Sequence, residues 1–365
     1  MRILYFSRNW TTHDQRFLRA IVAGGHDAWL LRWESAGLPL REGELPAGVS
    51  EALWEEASLS NLKAVLDRVH PTLLHAGPVH SCGYLAALSG FHPFVLMSWG
   101  SDILWDAVRD QAARERTRVA LAAADWLVCD CREVSHRAAE IAEYPQERIV
   151  TFPWGIDLDR FEKADSSLPI RERSGWERAP IVLSTRSWES IYGVDVAIDA
   201  FALVSQGVPS ARLVLAGDGG QAAAVKAQLL SKGLMGRTYL PGRISQSELP
   251  GYYQDAAVYL SCSYSDGSSV SLMEALAAGL PVVATDIPGN REWIEHDVNG
   301  WLCPSGDVCA FSRALADALN LTSSQRSEMA ERNRALAHSR ADWRIHAGAL
   351  EQTYRTALDT YGHHN

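Results

Sequence analysis

No stretch of this 365-residue chain approaches the ~18 consecutive apolar residues that a membrane-spanning helix needs. The apolar run within the opening MRILYFSRNWTTHD is only Ile3–Phe6, too short for the core of a secretory signal. The sequence therefore reads as cytoplasmic, with no transmembrane segment, while peripheral contact with a membrane stays open. Positive charge is also scarce: 34 Lys and Arg stand against 44 Asp and Glu, a net charge of −10. Nucleic-acid binders usually carry a basic face, so no nucleic acid is expected as a partner. The same balance argues against attachment to anionic lipid by charge alone. Cysteine is limited to Cys82, Cys129, Cys131, Cys262, Cys303 and Cys309. Cys129 and Cys131 form one C-x-C pair, and no second pair stands at zinc spacing. These cysteines read as reduced packing residues, and no metal site or cofactor is expected.

What is present is the composition of a globular protein, 47% hydrophobic and 21% charged. The chain is longer than a single hydrophobic core usually supports, so two domains are expected. Short apolar runs alternate with longer amphipathic stretches, the pattern of βαβ units and a parallel sheet. Strand-like runs in the first half are Ile3–Phe6, Ala28–Leu31, Leu73–His75, Phe94–Met97, Trp126–Cys129 and Ile149–Phe152. Leu59–Val69 and Arg109–Ala124 are helix-like. The pattern restarts with Ile181–Ser184 and continues through Leu213–Ala216, Val258–Ser261 and Pro281–Ala284. Between the halves, Asp157–Pro180 is charged, broken by Ser, Pro and Gly, and without period, which reads as a linker. The fold class is therefore α/β, with two doubly wound Rossmann-like domains. In such sheets ligands bind beyond the carboxyl ends of the strands.

The passage richest in chemistry is Ser261–Gly289, SCSYSDGSSVSLMEALAAGLPVVATDIPG. It reads as strand, polar turn, helix, strand, turn. Gly267 gives the turn backbone freedom, and Ser268 or Ser269 can cap a helix starting near Val270. The free N–H groups and partial positive charge of such a helix start suit a diphosphate. Asp266 precedes the helix and Glu274 lies within it, so both can face one ligand. Taken singly, Asp266 could be a turn residue and Glu274 a solvated helix position; the glycine, serines and following strand in register favour a site.

This passage resembles the sugar-nucleotide motif of retaining glycosyltransferases with the GT-B fold, in particular glycosyltransferase family 4. That motif has two acidic residues separated by seven others, followed by a Gly-Pro-Val-Val strand text. Asp266 and Glu274 have the spacing, and GLPVVATDIPG follows. The usual first acid is Glu, so Asp266 is a shortened version. The resemblance implies that Asp266 accepts hydrogen bonds from donor-sugar hydroxyls and that N–H groups near Ser268–Val270 hold the diphosphate. Glu274 would bind the ribose hydroxyls. STRSWESIYGVDVAIDAF resembles the family's Gly-Arg…Lys-Gly segment, making Arg186 the phosphate ligand. Arginine's planar, always-charged fork suits that task. The lysine's place is taken by Tyr192, which offers one neutral hydrogen bond. Gly217 and Asp218, in AGDGG, resemble the strand-end turn near the donor; Arg243 and Ile244, in LPGRISQSEL, match the segment flanking the nucleobase.

In the first half, FPWGIDLDRF resembles the family's Pro-Asn-Gly-Val-Asp segment, with Trp154 in place of asparagine. MSWGSDIL resembles its His-Gly-Ser-Asp turn, with Trp99 in place of histidine, followed by Gly100, Ser101 and Asp102. Tryptophan offers one N–H donor and no base. Candidates for polar work on the acceptor side are then His13, Asp14, His80, Ser101 and Asp102. Trp10, Trp99, Trp105 and Trp154 read first as packing residues and second as a surface for stacking a sugar. The resemblance implies a GT-B architecture whose domains, residues 1–160 and 175–342, face a central cleft. A terminal helix spanning 343–365 would pack back on the first domain. The expected reaction is metal-independent, retaining transfer of a sugar from a nucleotide diphosphate donor to a glycan, lipid or small-molecule acceptor. A sugar-nucleotide epimerase and a non-catalytic sugar-nucleotide binder are the alternatives.

Overall fold

A computed structural model describes residues 1–34, 44–162 and 169–362. The chain divides into two compact units, Met1–Trp154 with Arg344–Asn365, and Gly155–Trp343.

The first unit is built on β1 (Arg2–Ser7), β2 (Asp27–Arg32), β3 (Val49–Ala52), β4 (Leu73–Ala76), β5 (Phe94–Met97), β6 (Trp126–Cys129) and β7 (Ile149–Thr151). They form one sheet in the order β3-β2-β1-β4-β5-β6-β7, and all its pairings are parallel. Central strands are mostly apolar because helices cover both faces, with His75 of β4 a buried polar exception. Helices α1 (Thr12–Ala23), α2 (Leu59–Val69), α3 (Gln111–Ala123) and α4 (Arg132–Ala142) lie between strands. Leu4 and Phe6 enter one core with Leu74, Phe94 and Leu96. Tyr5, between them, points to the other face, where it meets Phe17 at 6.0 Å and His75 at 5.0 Å between ring centres. The C-terminal helix Trp343–Gly362 closes that face: Tyr354 Oη lies 2.6 Å from His75 Nδ1, and Glu351 pairs with His26 at 2.7 Å. β1 and β4 are neighbours from which the strand order runs in opposite directions, the topological switch point of a doubly wound sheet.

The second unit holds β8 (Ile181–Ser184), β9 (Arg212–Leu215), β10 (Thr238–Tyr239), β11 (Val258–Ser261), β12 (Val282–Thr285) and β13 (Trp301–Cys303). Their order is β10-β9-β8-β11-β12-β13, again all parallel. Alternate residues of β8 enter different cores. Val182 packs with Phe201 of α5 (Val194–Gly207) and Phe311 of α7 (Val308–Leu319). Ile181 and Leu183 pack with Leu272 and Met273 of α6 (Val270–Ala277) and Ala337 of α8 (Ser323–Arg340).

The stretch read as a linker differs from that expectation where it is described. One-turn helices occupy Asp159–Glu162 and Pro169–Ser174. Leu158, Phe161 and Ile170 are buried in the second unit's core. The Asp255 carboxylate accepts from Ile170 N–H at 2.8 Å and pairs with Arg171 at 3.1 Å. Three well-placed apolar residues suffice to fasten a segment that has no period of its own. Residues 163–168 of that reading lie outside the described residues. Five cysteines are buried as packing residues, whereas Cys309 is exposed on α7. Among the described residues no helix is long and apolar enough to cross a membrane.

Candidate functional site

In the second unit, the residues following β8 and the loop between β11 and α6 converge at the start of α6. Arg186 Nη1 donates to Ser269 Oγ and Ser271 Oγ, each at 2.9 Å. Its Nη2 lies 2.8 Å from Asp266 Oδ2. That oxygen makes no aligned hydrogen bond, so the contact is an ion pair. Arg186 Nε is buried and makes no hydrogen bond. The guanidinium carbon sits 4.1 Å from the centre of the Tyr192 ring. Burial opposes the charge of Arg186, but Asp266 and the surrounding tyrosines outweigh it, so the guanidinium is held more firmly protonated than usual.

Glu274 is buried one turn further along α6, 5% exposed. Tyr253 Oη lies 2.9 Å from Glu274 Oε2, 3.1 Å from the Ser271 carbonyl oxygen and 3.0 Å from Thr185 Oγ1. Burial, reinforced by the Glu274 charge, keeps the Tyr253 hydroxyl protonated. Tyr259 donates to Ser271 Oγ at 2.7 Å, and the Trp293 indole N–H to Ser268 Oγ at 2.8 Å. Ser269 is the N-cap of α6, yet its side chain makes no capping bond. Its hydroxyl is spent on Arg186, while Val270 begins the helix and Gly267 and Ser268 are buried in the preceding loop.

Gly217 borders this cluster: a Cβ there would come within 2.5 Å of the Arg186 carbonyl oxygen, so only glycine fits beside that strand end. Asp218 is exposed; its carboxylate accepts from Gly219 N–H at 2.9 Å, a turn contact, and its carbonyl accepts from Trp188 N–H at 3.0 Å. Arg243 is exposed, and Ile244 is half-buried against the core. Neither makes a hydrogen bond or ion pair with the Arg186 group. Ser271, Tyr253, Tyr259 and Trp293 join the cluster without having been singled out in the sequence. Ser271 had a signal, since it lies in the first turn of the helix that Ser269 caps.

On the first unit the acidic candidates are fasteners of their own loops. Asp14, 1% exposed, is the third residue of α1 and forms a capping box. Its Oδ2 accepts from Thr11 N–H at 2.7 Å and Thr11 Oγ1 at 2.5 Å, and its Oδ1 from Tyr5 at 3.1 Å. Asp102, 2% exposed, accepts from Val79 N–H at 2.7 Å, Ser98 Oγ at 2.6 Å, Ile103 N–H at 3.0 Å and Trp99 N–H at 3.3 Å. Burial raises the pKa of both, and these donors partly offset it. His80 pairs with Asp106 at 2.9 Å, which raises the imidazole pKa. Gly100 has φ of +82° and donates to Ser98 Oγ at 3.1 Å; Ser101 is half-buried. Trp99 and Trp154, the two departures from the family pattern, touch each other edge-on at 6.1 Å between ring centres. Trp99 also meets His13 at 5.2 Å, and Trp154 meets Phe17 at 5.1 Å. Trp10 and Trp154 are buried, whereas Trp99 and Trp105 are half-buried.

The expectation of metal independence rests in part on reading no Asp-x-Asp motif of metal-dependent sugar transferases in the sequence, and Asp157-Leu158-Asp159 corrects that reading, since it has the spacing. Among the described residues no group of three or more His, Cys, Asp or Glu is placed to hold a metal ion.

The family model "Glycosyl transferases group 1" matches residues 167–336, and "Glycosyl transferase 4-like" matches residues 2–131. The chain belongs to the GT-B glycosyltransferases of the family 4-like type. The amylovoran biosynthesis glycosyltransferase AmsK of Erwinia amylovora is 30% identical over 177 residues, 47% of this chain and 42% of that protein. A D-inositol 3-phosphate glycosyltransferase of Xylanimonas cellulosilytica is 29% identical over 246 residues, 65% of this chain and 58% of that protein. The chain thus spans about half the length of these curated relatives. Among solved structures, Anabaena HepE in complex with UDP-glucose superposes with a TM-score of 0.80 at 19% identity, covering 98% of this chain and 100% of that one. That likeness shows the two-domain Rossmann-like fold.

Proposed function

We propose that this chain transfers a sugar from a nucleoside diphosphate donor to an acceptor, with retention of anomeric configuration and without a metal ion. The observation that carries the reading is Arg186, buried and charged, held against Ser269, Ser271 and Asp266 at the start of α6. A fixed guanidinium beside free helix N–H groups is a receptor for a diphosphate. As the glycosidic bond breaks, the departing nucleoside diphosphate gains negative charge. Arg186 and the helix start stabilise that charge more in the transition state than in the ground state, which lowers the barrier. Asp266 is close enough to the same point to accept hydrogen bonds from the sugar's hydroxyls. Glu274, buried further along the helix, has the remaining acceptor character for the ribose. HepE is described with UDP-glucose, which makes uridine diphosphate sugars the first donors to try.

Calorimetry across a panel of nucleoside diphosphates and their sugars tests the reading. One nucleotide should bind at micromolar strength and be lost in Glu274→Ala. Donor binding without release of nucleoside diphosphate, with or without candidate acceptors, would leave a binding protein instead. No binding of any nucleotide would end the donor-site reading.

A further inference from the structure

We propose that Tyr192 is a positioning residue whose ring fixes the plane of the Arg186 guanidinium, so that the arginine's edge donors are aimed at the donor's diphosphate. The inference rests on the donor-site reading above and deepens it. All five guanidinium N–H groups lie in the plane of the group. A ring lying against the guanidinium carbon acts through its π face and leaves Nη1 and Nη2 to their edge partners. The Arg186 carbon lies 4.1 Å from the centre of the Tyr192 ring, within the range of a cation–π contact. The edge is where the polar work is done: Nη1 reaches Ser269 and Ser271, Nη2 reaches Asp266, and the buried Nε–H makes no hydrogen bond.

The platform is itself fixed. Tyr192 ends the tight turn Ser190–Tyr192, and its N–H donates to the Glu189 carbonyl at 2.9 Å. Gly193 follows with φ of +58°, and a Cβ there would lie 2.2 Å from the Cys262 carbonyl oxygen. Tyr264 N–H donates to the Ile191 carbonyl at 2.8 Å. The turn carrying Tyr192 is thus pinned to the loop that carries Asp266 and Ser269. A lysine at this position would have added a second positive charge beside the phosphates. Tyrosine adds none, since burial raises its pKa and keeps the hydroxyl neutral. The diphosphate's charge then falls to Arg186 and the start of α6, and the aim of that one cation matters correspondingly more.

The test compares Tyr192→Phe and Tyr192→Leu by calorimetry on the full chain, with UDP and GDP against uridine and guanosine. Phenylalanine should keep diphosphate affinity within about twofold, because the π face remains. Leucine should lose roughly tenfold for the diphosphates and nothing for the nucleosides. In an Arg186→Ala background leucine should have no further effect, since the two residues act as one unit. Should leucine not fold, Tyr192→Met, of similar volume and no π face, takes its place with the same outcomes. An equal loss in Phe and Leu would make the hydroxyl a direct ligand and overturn the inference. So would an unchanged diphosphate affinity in Leu, or losses that simply add in the double variant. If the wild-type protein binds no nucleotide, the donor-site reading falls and takes this inference with it. If it binds and only the Tyr192 results fail, the donor site stands and the platform does not.

Discussion

Removing the Arg186 side chain is the most informative perturbation, because it separates the structural from the catalytic worth of one charge. Arg186→Ala deletes two donated hydrogen bonds, the ion pair with Asp266 and the contact with the Tyr192 face. In the folded protein 11% of the Arg186 side chain and 19% of the Asp266 side chain are exposed. Breaking a fully buried pair costs about 3–5 kcal/mol. Asp266 keeps a fifth of its surface in water and recovers part of its hydration, so we expect a stability loss of about 2 kcal/mol. For a unit of this size that is a shift of roughly 4–8 °C in its thermal midpoint. The catalytic loss should be larger. A preorganised donor to a developing anion is worth about 10²–10³ in turnover, beyond whatever is lost in donor affinity. Arg186→Lys restores the charge without the planar fork and should recover only part of the rate. The assay is release of nucleoside diphosphate from its sugar conjugate, run below the variant's unfolding transition. Turnover within about tenfold of wild type in folded Arg186→Ala would refute the assignment of Arg186 to the leaving group.

Glu274→Ala should weaken binding of nucleoside as well as nucleoside diphosphate by tenfold or more, a loss of about 1.4 kcal/mol in each. Calorimetry with uridine and UDP separates this from the Arg186 variant, which should lose affinity only where phosphate is present. Asp102→Ala should destabilise the first unit by about 2–4 kcal/mol, since Val79 N–H, Ser98, Trp99 N–H and Ile103 N–H lose a shared buried acceptor; urea unfolding measures it. The buried His75 imidazole is pulled from 6.5 down to about 3 by desolvation. As pH falls below about 6.5 the unfolded chain takes up a proton that the folded chain refuses, so stability falls with pH and is level above that value. Between pH 6.5 and 5 this residue should cost about 2 kcal/mol, and His75→Phe should remove one proton from the slope of urea-derived stability against pH.

Ten of the thirteen strands were legible as apolar runs, and the three that were not are all at sheet edges. β3 reads Val-Ser-Glu-Ala, β10 is Thr238–Tyr239 and β13 is Trp301–Cys303. A central parallel strand is covered on both faces and is therefore mostly apolar. An edge strand has one neighbour and can be short or polar: β3 carries Ser and Glu, while β10 and β13 have two and three residues, too few to show a pattern. The position of such a strand is set by the register of its neighbour, as Ala28↔Val49 and Leu213↔Thr238 are, and register is not written in a short segment.

The site was legible where its chemistry follows from backbone geometry and obscure where it follows from partners. Gly267 through Glu274 announce a turn, a helix start and a carboxylate within it, and Arg186 meets that helix start as its own motif implied. Asp14 and Asp102 looked equally available for a substrate, and the sequence held a warning only for the first. Thr11-x-x-Asp14 has the spacing of a capping box, in which the acid turns back to the N-cap N–H, and it does so at 2.7 Å. Asp102 carries no such local signature, because Val79, one of its donors, is 23 residues away in sequence. A buried carboxylate with three or four donors from its own loops has little acceptor capacity left for a ligand. Asp266 is different in kind: its Oδ2 faces a single charged partner through an unaligned contact. A hydroxyl-bearing sugar and a diphosphate could divide that pair between them, Asp266 turning to the hydroxyls and Arg186 to the phosphate. On that argument Asp266→Asn, which keeps the acceptor oxygen and loses the charge, should spare nucleoside diphosphate binding while lowering affinity for the sugar conjugate. Equal losses for both ligands in calorimetry would show that Asp266 serves only to hold Arg186.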